Sequence, residues 1–227
     1  MDIVVTDLTH MSGGKICIAG IDPTTGRCFR PEPYKDRVWC AENGVEPGVV
    51  LRGAMKNLPN TTNPHIEDRY CKALCKADGV EVEDLCDLLA RTLSASVCDG
   101  FGSELPESQK YYPRDAPPGR SIVTIEVKDI RIVYNYSKVK AHVTDSAGRE
   151  FSFLPVADLL LREYVLGQDE DARSGACAHV TRHLRAQDHV YCRIGLGRAF
   201  KAKDDRDGYW LQVNGIYSCP ISWREGV

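Results

Sequence analysis

The chain has 227 residues, 43% of them hydrophobic, which is enough to bury the core of one large domain or of two small ones. Its net charge of −3 at pH 7 argues against non-specific coating of duplex DNA, because that mode of binding depends on many phosphate contacts. The sequence shows no apolar leader after Met1 and no apolar run of membrane length, so we expect a cytoplasmic protein that does not enter membranes.

The first half of the chain is expected to form short strands joined by turns. Apolar runs predict strands over residues 3–8, 15–21, 27–30 and 45–55. Asp22 and Pro23 open the turn between the second and third of these strands, and Gly26 closes it, as a short hairpin loop requires. Residues 57–70, rich in Asn, Pro and Thr, predict a loop.

A helix and a linker are expected between the two halves. Apolar residues at helical spacing predict the helix over 82–93. Residues 99–120 combine glycine, proline and many polar groups, and they are the best candidate for a linker. We therefore expect a first domain over 1–118, with a cysteine-rich loop and helix inserted into it.

The second half predicts a regular order of elements. Strands are expected over residues 121–135, 138–144, 149–154, 190–200 and 209–218, with a helix over 155–166. The first of these strands changes its apolar face midway, as a strand does when it bends around a small closed barrel. The order β-β-β-α-β-β is that of an oligonucleotide/oligosaccharide-binding (OB) barrel. The sequence thus predicts a mainly β fold, with two OB-like barrels in tandem over 1–118 and 119–227.

Candidate binding residues lie on the last two predicted strands. Alternation places five side chains on the face away from the core: Tyr191, Arg193, Trp210, Gln212 and Asn214. Aromatic rings stack on bases, arginines bind phosphates and amides can bind base edges, as in proteins that hold single strands. Arg198 would join this face if Gly195 or Gly197 forms a bulge. The alternative is that the same residues pack beneath a neighbouring domain.

The opening hairpin and one long segment carry further positive charge. Arg27 and Phe29 share one face of the hairpin strand, Arg30 lies on the other, and Arg52 on the next strand extends the basic surface. Residues 173–206 hold eight basic residues against three aspartates. This segment predicts a local anion-binding surface, with an ordinary solvated face as the alternative.

Short motifs at both ends resemble the dual OB-fold domains of bacteria and archaea. The matching pieces are Gly20-Ile21-Asp22, Thr25-Gly26, Arg30-Pro31, Gly195-Leu196-Gly197-Arg198 and the run from Leu211 to Ile216. The resemblance implies a predicted nucleic-acid-binding module that acts in a prokaryotic defence system. Together with the strand alternation, it predicts non-catalytic recognition of a nucleic acid, single-stranded rather than duplex, or of a nucleotide, with an effector protein of the same system as a further partner.

A zinc site is a competing interpretation of one segment. Cys177, His179, His183 and His189 are zinc-capable, but the spacing lacks a Cys-x2-Cys pair. The ten cysteines are irregularly spaced, which predicts mostly reduced, buried thiols rather than a disulfide framework. We therefore expect no cofactor, with solvent-facing histidines and core cysteines as the simpler interpretation.

Two other functions stay open from the sequence. Asp115, Glu126 and Lys128 have a spacing seen in metal-dependent nucleases, although Asp115 lies in a proline-rich stretch. A protein-interaction adaptor would use the same aromatic residues to pack against a partner. The sequence contains neither a nucleophile elbow nor a Walker loop, so we expect a binding protein rather than an enzyme.

Overall fold

The structure is a computed structural model that describes residues 1–79 and 82–226. The fold is mainly β, with 46% of residues in strands and 20% in helices, which confirms the predicted class. The strands form two curled sheets, one of which is a half-barrel. Among the described residues, no helix has both the length and the apolar character needed to cross a bilayer.

The first sheet is built by the N-terminal part of the chain. Its strands are β1 (Asp2–His10), β2 (Lys15–Ile21), β3 (Cys28–Glu32), β4 (Lys35–Asp36), β5 (Val49–Asn57) and β6 (Asp68–Gly79). They are ordered β1-β5-β6-β3-β2-β4, with β1 also paired to β2. A short helix, α1 (Arg37–Glu42), starts where the Asp36 carboxylate accepts a hydrogen bond from the Trp39 backbone N–H. Strand β6 was not predicted, because it begins inside the polar segment 57–70.

The remaining strands of the chain form the second sheet. Its strands are β7 (Leu93–Ser94), β8 (Tyr111–Pro113), β9 (Ile122–Asn135), β10 (Lys138–Asp145), β11 (Glu150–Pro155), β12 (His189–Leu196), β13 (Phe200–Lys201) and β14 (Asp207–Cys219). Its helices are α2 (Val82–Ala90), α3 (Val97–Phe101), α4 (Leu159–Leu166) and α5 (Arg173–Arg185). The main path is β11-β10-β9-β12-β14-β13, with β7 paired to β9 and β8 to β14.

The predicted order of the second half is largely present, with one addition. Strands β9, β10 and β11 precede α4, and β12 and β14 follow, but α5 is a second helix before β12. Helix α4 begins after Asp158, whose carboxylate accepts from the Leu161 N–H, rather than at Pro155, which ends β11. The apolar face of β9 changes midway because its first part pairs with β12 and its later part with β10.

The predicted linker over 99–120 is wrong as a description of this segment. It contains the end of α3 and the whole of β8, and β8 pairs with β14. Gly102 adopts a left-handed conformation that terminates α3, so this glycine caps a helix rather than loosening the chain. Strands β7 and β8 belong to the second sheet, so the predicted division at residue 118 falls inside the segment that builds that sheet.

The two sheets pack against each other through a shared apolar cluster. Val4 and Ile21 of the first sheet lie in one buried cluster with Leu88 of α2 and with Tyr191 and Tyr217 of the second sheet. A further core lies within the second half, and the core of the first half also includes Leu159 of α4. The faces of β1 are therefore buried on both sides, one in its own core and the other between the sheets.

One disulfide joins the helix between the halves to the last strand. Cys86 of α2 is bonded to Cys219 of β14. The prediction of reduced thiols is corrected for this pair, since the fold brings together two cysteines that lie 133 positions apart. The eight other cysteines are free thiols.

Candidate nucleic-acid interface

The structure corrects the expected exposure of Arg193. Its side chain is only 2% exposed, and its guanidinium forms an ion pair at 3.0 Å with Asp7, which is 1% exposed. Nη1 also donates to the Thr124 hydroxyl at 2.8 Å, and Nη2 contacts the Cys28 sulfur at 3.2 Å. Strand β12 lies against the first sheet here, so the face that alternation left open is covered. Arg193 links the two halves of the molecule.

Two more residues of the predicted face are also buried. Tyr191 lies in the cluster between the sheets and is 6% exposed. Asn214 is 5% exposed, and its carbonyl oxygen accepts from the Gln212 amide at 2.8 Å. The alternative interpretation, in which this face packs beneath a neighbouring domain, fits these positions. Gln212 is half-buried.

The arginines of the opening hairpin have different environments. Arg30 is 6% exposed and pairs with Asp68, while its Nη2 donates to His65 Nδ1 at 2.9 Å. Phe29 is also buried, so the predicted stacking by this ring is corrected as well. Arg27 is exposed, with its guanidinium carbon 5.6 Å from the centre of the Phe29 ring.

Arg52 and Arg198 remain at the surface but engage carboxylates. Arg52 makes a two-pronged ion pair with Asp2, at 2.8 and 2.7 Å. The Arg198 side chain is 47% exposed, and Nη2 lies 2.8 Å from Asp68 and 3.1 Å from Glu32. Both arginines keep exposed surface, but their charge is offset by these neighbours.

Trp210 lies in a surface cluster of rings and one guanidinium. Its ring stacks on Tyr111 of β8 with centres 4.8 Å apart and an angle of 25° between the planes. The Arg206 guanidinium carbon lies 4.8 Å from the Trp210 centre and 5.9 Å from that of Tyr111. Trp210 Nε1 donates to the carbonyl of Phe200, a residue that is 61% exposed. We call Tyr111, Phe200, Arg206 and Trp210 the aromatic cluster.

A basic cleft of about 190 Å³ lies where the two sheets meet. Three arginines line it from three segments: Arg27 after the hairpin turn, Arg69 in β6 and Arg120 just before β9. Arg193 lies at its wall, already paired with Asp7. Within the described part of the chain, Arg27, Arg69 and Arg120 form no ion pair. We call these three residues and their cavity the basic cleft.

The walls of the basic cleft hold Arg69 without neutralising it. Arg69 Nη1 donates to the backbone carbonyls of Ile66 and Asp68, at 2.6 and 2.7 Å. Glu67 also lines the cleft, but it is 4% exposed and accepts hydrogen bonds from the Ser121 N–H and hydroxyl and from the Ile122 N–H. The Glu67 carboxylate thus binds the start of β9 and forms no ion pair with the arginines of the cleft. The cleft therefore presents a net positive charge.

Further groups in the basic cleft are uncharged. The hydroxyls of Thr92 and Thr124 lie 3.0 Å apart, and Ser94 is beside them. Burial raises the pKa of the Cys28 thiol to about 12, so this sulfur stays protonated and is not a nucleophile at neutral pH. Hydroxyls and guanidinium groups together suit an anionic oxygen ligand such as a phosphate.

Sequence reasoning found Arg27 and Arg193 but missed Arg69 and Arg120. Arg69 lies at the end of the predicted loop over 57–70, and Arg120 lies at the end of the predicted linker. Neither position takes part in a hydrophobic period. The one feature of the sequence that could have indicated Arg69 and Arg120 is their position as basic residues at the edge of a loop, where binding residues often lie.

The predicted zinc ligands are not brought together. Cys177 is a buried residue of α5, whereas His183 lies beside the carbonyl of Ile221, with Nε2 at 3.1 Å. His189 contacts Glu126 at 2.7 Å, and His179 is exposed on α5. Within residues 1–79 and 82–226, no group of three or more histidine, cysteine or acidic side chains is arranged to hold a metal ion.

The three residues of the nuclease pattern have separate environments. Asp115 is exposed after β8, and the Glu126 carboxylate on β9 contacts the His189 ring. Lys128 is exposed on the same strand as Glu126. The pattern stays a prediction without support from a ligand cluster in the described residues.

Comparisons with protein-family models and with curated proteins give no match to this chain. The resemblance of its short motifs to dual OB-fold domains therefore stays a prediction. The basic cleft and the aromatic cluster are the surfaces from which a function can be argued.

Proposed function

We propose that the protein binds single-stranded nucleic acid without cleaving it. A phosphate of the strand lies in the basic cleft, and neighbouring bases contact the aromatic cluster. The observation that supports this most is the meeting of Arg27, Arg69 and Arg120 around one cavity, with no carboxylate paired to any of them in the described residues.

The physical basis is the chemistry of the guanidinium group. Its planar set of N–H donors matches two phosphate oxygens at once, and its charge is not lost at any physiological pH. Arg69 is held by two backbone carbonyls, so its guanidinium is positioned before a ligand arrives, and Arg27 lies over the Phe29 ring. Ordering in advance lowers the entropic cost of binding. Stacking on Trp210 would add sequence-tolerant affinity.

We further propose the type of barrel that each sheet forms and the cellular system in which the protein acts. Each curled sheet is an OB-like barrel, and the half-barrel and the strand order of the second half support this assignment. The protein works in the cytoplasm as the recognition module of a prokaryotic defence system, with an effector protein as its partner. The resemblance of the short motifs to dual OB-fold domains supports this context.

The test is fluorescence anisotropy of labelled single-stranded DNA and RNA, titrated at several salt concentrations. The variant Arg69→Glu/Arg120→Glu should lose about tenfold or more in affinity and should lower the salt slope by about 0.7 for each phosphate contact removed. The matched control is Arg131→Glu/Arg182→Glu, which makes the same charge change in a separate groove beside α5. Equal losses in both variants, or no binding to either polymer at low salt, would overturn the proposal.

A further inference from the structure

A second cavity lies on the other side of the segment that forms the basic cleft. It measures about 320 Å³ and is lined by the loop over 58–63 together with His65, Asp68, Arg198 and Tyr209. Residues 65–69 separate the two cavities: His65 and Asp68 line this one, and Arg69 lines the basic cleft. Five extended residues span at most about 18 Å, so the cavities are close neighbours.

The ionised groups around this cavity cancel one another. Asp68 pairs with Arg30 and with Arg198, and Glu32 is a further partner of Arg198. Two positive and two negative groups leave no net charge, in contrast to the basic cleft. This balance favours a neutral polar ligand over a phosphate.

His65 forms an uncharged wall. Burial, together with the charges of Arg30 and Arg198, lowers the pKa of its imidazole to about 3. Because the Arg30 guanidinium can only donate, Nδ1 accepts its hydrogen bond and Nε2 carries the hydrogen. Nε2 is buried and interacts with the Gly197 backbone, without a hydrogen bond of good geometry among the described residues.

The remaining lining offers a ring and free hydrogen-bonding groups. The Tyr209 ring meets that of His65 edge to face, with centres 5.7 Å apart. The Asn60 and Asn63 amides and the Tyr209 hydroxyl make no side-chain hydrogen bond among the residues described here. A carboxamide presents a donor beside an acceptor, as the edge of a base does.

We propose that this cavity, the base pocket, binds one unpaired nucleobase, an assignment that rests on the proposed function. The base contacts the Tyr209 ring and exchanges hydrogen bonds with the amides of the 58–63 loop. A volume of about 320 Å³ is at the small end of the range for ligand pockets, which suits one base with its sugar. The base belongs either to a bound strand or to a free nucleotide, and the experiment separates these sources.

The test compares three probes by anisotropy or by competition: a labelled oligonucleotide, the same oligonucleotide lacking its bases, and a nucleoside monophosphate. The variant Tyr209→Leu/Asn60→Ala removes the ring and one amide. Its control, Tyr136→Leu/Asn57→Ala, makes the same changes at exposed positions outside the pocket. Circular dichroism checks that both variants fold.

The base pocket predicts that wild-type protein binds the oligonucleotide about tenfold or more tightly than its base-free form, and that only the pocket variant loses this preference. If the pocket variant still prefers the oligonucleotide over its base-free form, the base pocket is overturned. The proposed function would still stand in that case if binding depends on salt and is lost in Arg69→Glu/Arg120→Glu. Pocket-dependent binding of the monophosphate alone would support the pocket and overturn the single-strand function. No binding of any probe would overturn both.

Discussion

Replacing Arg193 by methionine should destabilise the fold far more than an ordinary surface change. The substitution removes the ion pair with Asp7 and the bond to the Thr124 hydroxyl, and it leaves the Asp7 carboxylate buried without a cation. Removing one member of a buried pair costs about 3–5 kcal/mol. A domain of ordinary stability has about 5–15 kcal/mol in total, so the loss is a large share of it. The expected fall in Tm is about 10 °C.

Urea and thermal unfolding of Arg193→Met measure this loss. The control is Arg185→Met, because Arg185 also pairs with an aspartate, Asp129, through Nε and Nη2, but the two side chains are 49% and 52% exposed. We expect less than about 1 kcal/mol for the control. The double variant Asp7→Leu/Arg193→Met should recover much of the loss, since no charge is then left unpaired. A loss for Arg193→Met no larger than that of the control would refute the reasoning.

Three further outcomes are expected. The pKa of His65 is near 3 in the folded state and 6.5 in the unfolded chain, so the imidazole takes up a proton more readily when the protein unfolds. The free energy of unfolding should therefore fall by about 1.4 kcal/mol per pH unit between pH 6.5 and the folded-state pKa. In urea titrations at pH 7 and about 4.5, His65→Gln should show a smaller fall than the wild type. The bond between Cys86 and Cys219 closes a span of 133 positions, so Cys86→Ser should cost about 2–5 kcal/mol, and reductant should lower the urea midpoint of the wild type but not of the variant. Gly208→Ala should destabilise the fold strongly, because the added carbon would lie 2.1 Å from the backbone oxygen of Tyr112. Gly175→Ala should raise Tm slightly, because Gly175 lies within α5 and an added carbon would meet no neighbouring atom. Equal changes in Tm for the two variants would contradict this reasoning.

Local patterns were sufficient to predict several elements. Strands β1 and β2 were predicted from apolar runs that the structure confirms over Asp2–His10 and Lys15–Ile21. The change of face within β9 was visible in its sequence, because a strand alternates its side chains wherever it pairs. Helix α5 was missed because its charged residues and small side chains give a weak apolar stripe.

The candidate site could be predicted only in part. The sequence singled out Arg27 because its turn is fixed by local residues, and the exposed Arg27 guanidinium lies in the basic cleft. Arg69 and Arg120 join it from segments that carry no periodic signal. Their meeting depends on the pairing of β3 with β6 and on the position of β9, which are contacts between distant parts of the chain.

The sequence by itself determined the mainly β character of the protein, the hairpin at Asp22 to Gly26 and the residues that share a face on β12 and β14. Only the tertiary structure decided which of those faces meets solvent. Alternation reports which side chains lie together, but it carries no information about what packs on them. Arg193 is buried because the first sheet supplies Asp7 at that point, and Arg120 is available because it forms no ion pair among the described residues.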